Sequence, residues 1–201
     1  MILKLTDEAS EEIINTSISI LKKGGIIAYP TETFYGLGAK YDIDSALKRL
    51  YEIKQRPKEK AMPLIIGGID KLSLITDSIN ASVKELMDRF WPGPLTIFFH
   101  SRAGLSEYIV SENKVAVRIP GESFALKLAC AAGFPITATS ANISGMPPAD
   151  SASMVLDYFG DRIDLIIDGG KTKGGLPSTI VDATDTAIKI IRKGAVDIRS
   201  S

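Results

Sequence analysis

Three short stretches of this sequence collect side chains of the kinds that hold anions and orient small molecules. Pro30-Thr31-Glu32-Thr33-Phe34-Tyr35-Gly36-Leu37-Gly38 sets two hydroxyls, a carboxylate and a phenol between a proline and two glycines. Such a segment is either a capped turn that satisfies loose backbone donors or the lip of a ligand site at a strand end. Lys54-Gln55-Arg56-Pro57-Lys58-Glu59-Lys60 is a charge run. Residues two apart do not share a helix face, so Lys54 and Arg56 converge only where the chain has left the helix, which Pro57 favours. There the planar Arg fork and the Lys point charge suit a triphosphate, against the alternative of a solvated basic loop. Thr137-Ala138-Thr139-Ser140-Ala141-Asn142-Ile143-Ser144-Gly145 supplies neutral donors and acceptors and room for close backbone approach, or else an ordinary Ser/Asn turn. Arg118 and Arg192 lie within or at the end of apolar runs. A guanidinium there needs an anion, either a structural carboxylate or a ligand carboxylate or phosphate.

Commoner chemistries fail on spacing. Gly169-Gly170-Lys171-Thr172 ends like a phosphate-binding P-loop, but Leu165 stands at the first-glycine position, and Gly174, Gly175 and Pro177 follow where a helix should open. Gly36-Leu37-Gly38 begins a dinucleotide fingerprint, yet Tyr41 occupies the third-glycine position. His100 and Cys130 are the sole histidine and cysteine, which excludes histidine-rich and cysteine-zinc metal sites. His100 reads as structural in an apolar strand, so a Ser-His-acid triad is excluded too. Cys130 reads as a small buried apolar residue, and a lone thiol suits a reducing compartment.

The elements that must position the polar stretches follow from periodicity. Ile13, Ile14, Ile18 and Leu21 share a face of a helix over 9–23, stopped by Gly24-Gly25. Asp44 offers an N-cap for a helix through Ile53 that ends before Pro57. Further helices are expected over 82–90, 123–132 and 152–159, with a rigid break at Trp91-Pro92-Gly93-Pro94. Strands are expected at 26–29, 64–66, 95–99, 115–119, 136–138, 165–168, 178–182 and 187–192. Loose alternation followed by clustered strands reads as one α/β domain with a mixed sheet. A 45% hydrophobic content supports a substantial core. The balance of 24 basic and 24 acidic residues disfavours a surface that grips a polyanion throughout, while allowing a local basic pocket. No apolar run approaches the ~20 residues that cross a bilayer. With Asp7, Glu8, Glu11 and Glu12 near the start there is no signal-peptide pattern, so a cytoplasmic location without membrane contact is expected.

These stretches together resemble the YrdC-like family of threonylcarbamoyl-AMP synthases almost end to end. The residues carrying the resemblance are the 30–38 motif, Lys-Gln-Arg-Pro at 54–57, Val-Arg-Ile-Pro at 117–120, Ser-Ala-Asn-Ile-Ser-Gly at 140–145, Ser-Thr-Ile-Val-Asp at 178–182 and Ile-Arg-Lys-Gly at 191–194. The resemblance implies a single α/β domain over 1–201, with a twisted mixed sheet flanked by helices and a concave basic substrate pocket. It implies that Lys54, Arg56, Ser140 and Asn142 are catalytic and surround the nucleotide phosphates and the reacting carbamate. Lys60, Lys114 and Arg192 would join them at the nucleotide, and Thr31, Thr33, Tyr35, Arg118 and Ser178 would bind threonine. Some relatives carry Asn-Pro-Leu and then a histidine after the Lys-x-Arg segment. This chain instead has Lys60-Ala61-Met62-Pro63-Leu64 with a slightly longer loop. By length the chain resembles the family's short form, so a single domain is the expectation.

The implied reaction takes ATP, L-threonine and bicarbonate. The threonine amine adds to carbon dioxide, and the new carboxylate attacks the α-phosphate and expels pyrophosphate. Mg²⁺ would arrive with ATP, held by phosphates and water, with no metal site in the protein. The product would pass to the machinery that makes N6-threonylcarbamoyladenosine in tRNA, and tRNA itself is a further candidate partner. The rival from another class is a double-stranded RNA or tRNA-binding module of the same fold, whose affinity would depend strongly on salt. A carbamoyl-adenylate enzyme of hydrogenase maturation is a second rival, disfavoured by length.

Overall fold

The computed structural model describes residues 1–57, 60–185 and 187–199. Lys58 and Glu59 of the charge run lie outside the described residues. The helices are α1 (Ser10–Lys22), α2 (Asp44–Lys54), α3 (Ala81–Phe90), α4 (Phe124–Ala132) and α5 (Ala152–Phe159). Asn80, Ser123 and Ser151 each accept a backbone N–H three residues on, which starts α3, α4 and α5. At α2 the expected cap differs. Ile43, in extended conformation, occupies the cap position without a side-chain bond, and Asp44 lies inside the first turn. There its charge still meets the positive end of the helix.

The strands are β1 (Ile2–Lys4), β2 (Ile27–Pro30), β3 (Tyr35–Gly38), β4 (Leu64–Ile65), β5 (Leu95–His100), β6 (Lys114–Arg118), β7 (Ile136–Thr137), β8 (Thr139–Ser140), β9 (Leu165–Asp168), β10 (Thr179–Asp182) and β11 (Lys189–Arg192). They divide into two mixed sheets, ordered β1-β9-β2-β3-β8 and β11-β10-β5-β6-β4-β7. The segment 136–140 joins them. Ile136 and Thr137 pair with β4, and after Ala138 the chain crosses so that Thr139 and Ser140 pair with β3. Thr137 tightens the crossing, its Oγ1 accepting the Ala39 N–H at 2.8 Å. β1, β3 and β8 were not foreseen. The glycines of β3 read as a turn by composition, and β1 and β8 are too short to show alternation.

The glycine pattern of β3 has a packing cause. A methyl group on Gly38 would come within 2.8 Å of the Tyr29 ring and 2.9 Å of Ile136. The core forms two clusters, and each draws residues from both sheets. Leu47, Leu50, Ile97, Val115, Val117 and Phe159 belong to one cluster. Leu21, Ile27, Leu128 and Leu165 belong to a second, beneath α1 and α4. Each fully buried leucine or valine stabilises the fold by about 2 kcal/mol. Cys130 departs from expectation: Phe124, Ala125, Leu128 and Ala129 are the buried positions of α4, and the next residue turns outward. The Cys130 thiol is exposed and donates to the Gly67 carbonyl at 3.3 Å. His100 is exposed too, with Nε2 at 3.0 Å from the Thr184 carbonyl.

Candidate active site

Between the two sheets lies a cavity of about 1060 Å³, large enough for a nucleotide and a second small ligand together. One wall is the inner face of β5, β6 and β10, where side chains alternate with the strand period. Thr96 and Phe98, then Lys114, Ala116 and Arg118, then Ser178, Ile180 and Asp182 face the cavity. The opposite wall carries Thr31, Thr33 to Gly36, Arg56, Lys60 and Ala138 to Ser140. Thus the structure brings together Thr31, Thr33, Tyr35, Arg56, Lys60, Lys114, Arg118, Ser140, Ser178 and Arg192 from the sequence reading. Lys54 and Asn142 stand behind the wall.

The loop between β2 and β3 is a tight turn. The Thr31 hydroxyl donates to the Phe34 carbonyl at 2.7 Å and accepts the Thr33 N–H at 3.2 Å. That commits Thr31 to the turn and leaves the Thr33 hydroxyl as the freer group. The Tyr35 phenol is also committed, donating to the Gly170 carbonyl at 2.8 Å and accepting the Gly169 N–H at 3.1 Å. Burial pushes its pKa above the usual range.

The cations of the cavity fall into two groups. Lys114 pairs with Asp182 at 2.7 Å, and Arg118 pairs with Glu32. The Arg118 and Glu32 side chains are only 12% and 21% exposed, so this is a sheltered pair. Glu32 Oε2 is buried without a hydrogen-bond partner among the described residues. Arg56, Lys60 and Arg192 have no carboxylate partner among the described residues. Arg56 donates to the carbonyls of Lys60 and Ala61 at 2.7 and 2.9 Å and to Thr139 Oγ1 at 3.3 Å. Arg192 donates to Ser178 O at 2.7 Å and Ser178 Oγ at 3.1 Å, and Ser178 Oγ lies 2.9 Å from Thr96 Oγ1. Burial lowers the pKa of both guanidinium groups, and in Arg192 the neighbouring Arg118 charge lowers it further. Uncompensated cations of this kind are poised for an anion.

Strand periodicity held part of the signal for the site residues that sequence reading missed. Asp182 follows from two-residue alternation once Ser178 is taken as cavity-facing, whereas Thr96 and Phe98 follow only with the register that sets them beside Ile180 and Asp182. Burial alone would raise the Asp182 carboxyl, but hydrogen bonds from Lys114 and Thr184 more than offset it and carry the pKa down to about 2. The sign follows: the folded pKa is depressed, so the carboxylate stabilises the fold above its ordinary pKa near ~4 and ceases to do so as pH falls through about 2. Asp182→Asn should therefore be less stable than the parent at pH 7. In urea titrations the gap between the two should close between about pH 4 and pH 2. A gap that stays constant over that window would contradict the ion-pair account.

Among the described residues no cluster of three or more His, Cys, Asp or Glu is placed to hold a metal. None of the described helices is long and apolar enough to cross a membrane.

Known proteins resemble this chain in sequence and fold. The profile of the Sua5/YciO/YrdC family, described as "Telomere recombination", matches residues 19–194. The threonylcarbamoyl-AMP synthase of Pyrococcus abyssi is 36% identical over 98% of this chain and 58% of its own length. The threonylcarbamoyl-AMP synthase of Bacillus subtilis is 36% identical over 96% of this chain and 57% of its own. The chain therefore spans little more than half the length of these relatives. The crystal structure of P. abyssi Sua5 complexed with L-threonine superposes with a TM-score of 0.90 at 36% identity, covering 96% of this chain and 57% of that one. By the match of family profile, sequence and fold, the chain belongs to the Sua5/YciO/YrdC family.

Proposed function

We propose that this chain forms threonylcarbamoyl-AMP and pyrophosphate from L-threonine, bicarbonate or carbon dioxide, and ATP. The observation that carries this is the division of the cavity's cations. Arg56, Lys60 and Arg192 lack carboxylate partners among the described residues, whereas Lys114 and Arg118 are each paired. An enzyme of this kind must hold two anions that repel each other, a triphosphate and an N-carboxy amino acid. It needs surplus positive charge at one and oriented neutral donors at the other.

The triphosphate lies against Arg56, Lys60 and Arg192, with ATP entering as its magnesium complex and Lys114 near the nucleoside. Threonine lies against Thr33, Arg118 and Ser178, with Thr31 and Tyr35 shaping the turn around it. The amine nitrogen bonds to the carbon of carbon dioxide and gives up a proton, forming N-carboxythreonine. An oxygen of the new carboxylate then bonds to the α-phosphorus as the bond to the bridging β-phosphate oxygen breaks, and pyrophosphate leaves. Arg56 and Arg192 neutralise the charge that builds on the leaving group, the chief protein contribution to phosphoryl-type transfer. The product is an activated anhydride suited to modifying tRNA. A cytoplasmic location fits a reaction that consumes ATP.

The reading draws support from relatives named threonylcarbamoyl-AMP synthase and from the threonine complex of P. abyssi Sua5. Its test is incubation with ATP, threonine and ¹³C-bicarbonate, followed by mass spectrometry. A labelled threonylcarbamoyl adenylate is expected. Salt-sensitive RNA binding without that product would favour a binding module instead.

A further inference from the structure

Lys54 ends α2, and Gln55 follows in left-handed conformation (φ 50°), which turns Arg56 off the helix toward the cavity. Lys54 itself does not turn outward. It is 2% exposed, and its ammonium donates to Ser140 O at 2.5 Å, Asn142 O at 2.7 Å and Asn142 Oδ1 at 3.5 Å. A lysine ammonium has three N–H donors. Two are committed to carbonyls, the third points to Asn142 Oδ1 at the long limit of a hydrogen bond, and Lys54 does not line the cavity where a phosphate would sit.

The Asn142 amide is equally committed, and its orientation is fixed by its partners. Nδ2 faces two carbonyls, Met146 O at 2.7 Å and Ile143 O at 3.1 Å, so Oδ1 must face Lys54 and the Ser140 hydroxyl. The Ser140 O–H donates to that Oδ1 at 2.5 Å. With its proton spent there, Ser140 Oγ turns lone pairs outward. The Lys54 carbonyl closes the ring by accepting the Ser144 N–H at 2.8 Å.

Resting on the adenylate-forming reading above, we infer that Lys54 is a positioning residue. It rivets the turn 140–144 to the end of α2 and, through Asn142, sets Ser140 as a hydrogen-bond acceptor facing the cavity. The ligand group beside Ser140 is then a donor, such as the carbamate N–H, a ribose hydroxyl or a water on the phosphate-bound magnesium. Arg56, two residues on, remains the phosphate contact from this segment.

Lys54→Met removes the ammonium at similar side-chain length. The expected result is a fall in kcat of ~10-fold to 10²-fold, because Ser140 is misplaced. The ATP dissociation constant should change by less than about threefold, and its salt dependence should match the parent, since no phosphate contact is lost. Amide hydrogen exchange at Ala141, Ser144 and Met146 should speed up. A large loss of ATP affinity with a shallower salt dependence and unchanged exchange would overturn the inference.

Should Lys54→Met fail to fold, lysine-directed acetylation of the parent protein decides the same point. Lys54 should resist labelling with or without ATP, whereas exposed Lys60 should label and be protected by ATP. Lys54 labelling that ATP suppresses would overturn the inference. If neither lysine responds because ATP does not bind, the synthase reading fails. Labelling of the ATP-free protein then still decides whether Lys54 is held beneath the turn, since a lysine committed there resists acetylation while exposed Lys60 does not.

Discussion

Arg56→Ala is expected to lower turnover by ~10²-fold or more, the cost of removing one preorganised charge from a group-transfer site. Its guanidinium is held by neutral acceptors, the Lys60 and Ala61 carbonyls and Thr139. Its charge is therefore not cancelled within the described residues and is available to a phosphate. The loss should appear mainly in kcat, because charge grows on the leaving pyrophosphate in the transition state. Arg56→Lys should recover only part of the rate, since a point charge cannot reproduce a planar fork that also binds the backbone at two carbonyls. Steady-state kinetics with saturating ATP and threonine checks this. Near-normal turnover in Arg56→Ala would remove Arg56 from the reaction.

Glu32→Ala is expected to reduce stability and threonine affinity together. Arg118 and Glu32 are sheltered partners, and removing one leaves the other charge uncompensated. The cost of breaking such a pair is about 3 kcal/mol, at the low end for buried pairs because this one is not fully dry. At this chain length that corresponds to a fall in melting temperature of roughly 10 °C. The positive charge of Arg118 already lowers the pKa of Arg192, so Glu32 also limits repulsion between the two guanidinium groups. Without it Arg118 should move, and the KM for threonine should rise more than the KM for ATP. Calorimetry together with separate titrations of the two substrates checks the pattern. An unchanged melting temperature with normal threonine KM would mean that the pair is incidental.

Helices and long strands were legible from periodicity, since apolar spacing reports directly on what an element buries. α5 and β9 lie where the sequence places them, and α1 and α3 differ only at their ends. The two-residue β8 was not legible because its partner lies about a hundred residues away, and β3, although it pairs with the neighbouring β2, was not legible because its glycines read as a turn. The division into two sheets shares that cause: it rests on the crossing at Ala138, which has no local signature. Within the site, the polar motifs at 30–38 and 178–182 reach the cavity because strand ends carry them there. Lys54 shows the limit. Its sequence position beside Arg56 suggests a shared ligand, yet one left-handed residue between them sends Arg56 to the cavity and leaves Lys54 beneath the turn 140–144. Only the packing of that distant turn reveals that the lysine is turned to the Ser140 and Asn142 carbonyls. Arg118 teaches a related lesson. The sequence left open a protein carboxylate or a ligand, and Glu32, in the very loop expected to bind threonine, is the anion it meets.

Pyrophosphate release from ATP, measured with threonine and bicarbonate present and with each withheld in turn, tests the central claim most directly. The account predicts release that requires both, that is much weaker with serine in place of threonine, and that collapses in Arg56→Ala. Release that is indifferent to threonine, or no release from a protein shown to be folded, would contradict it.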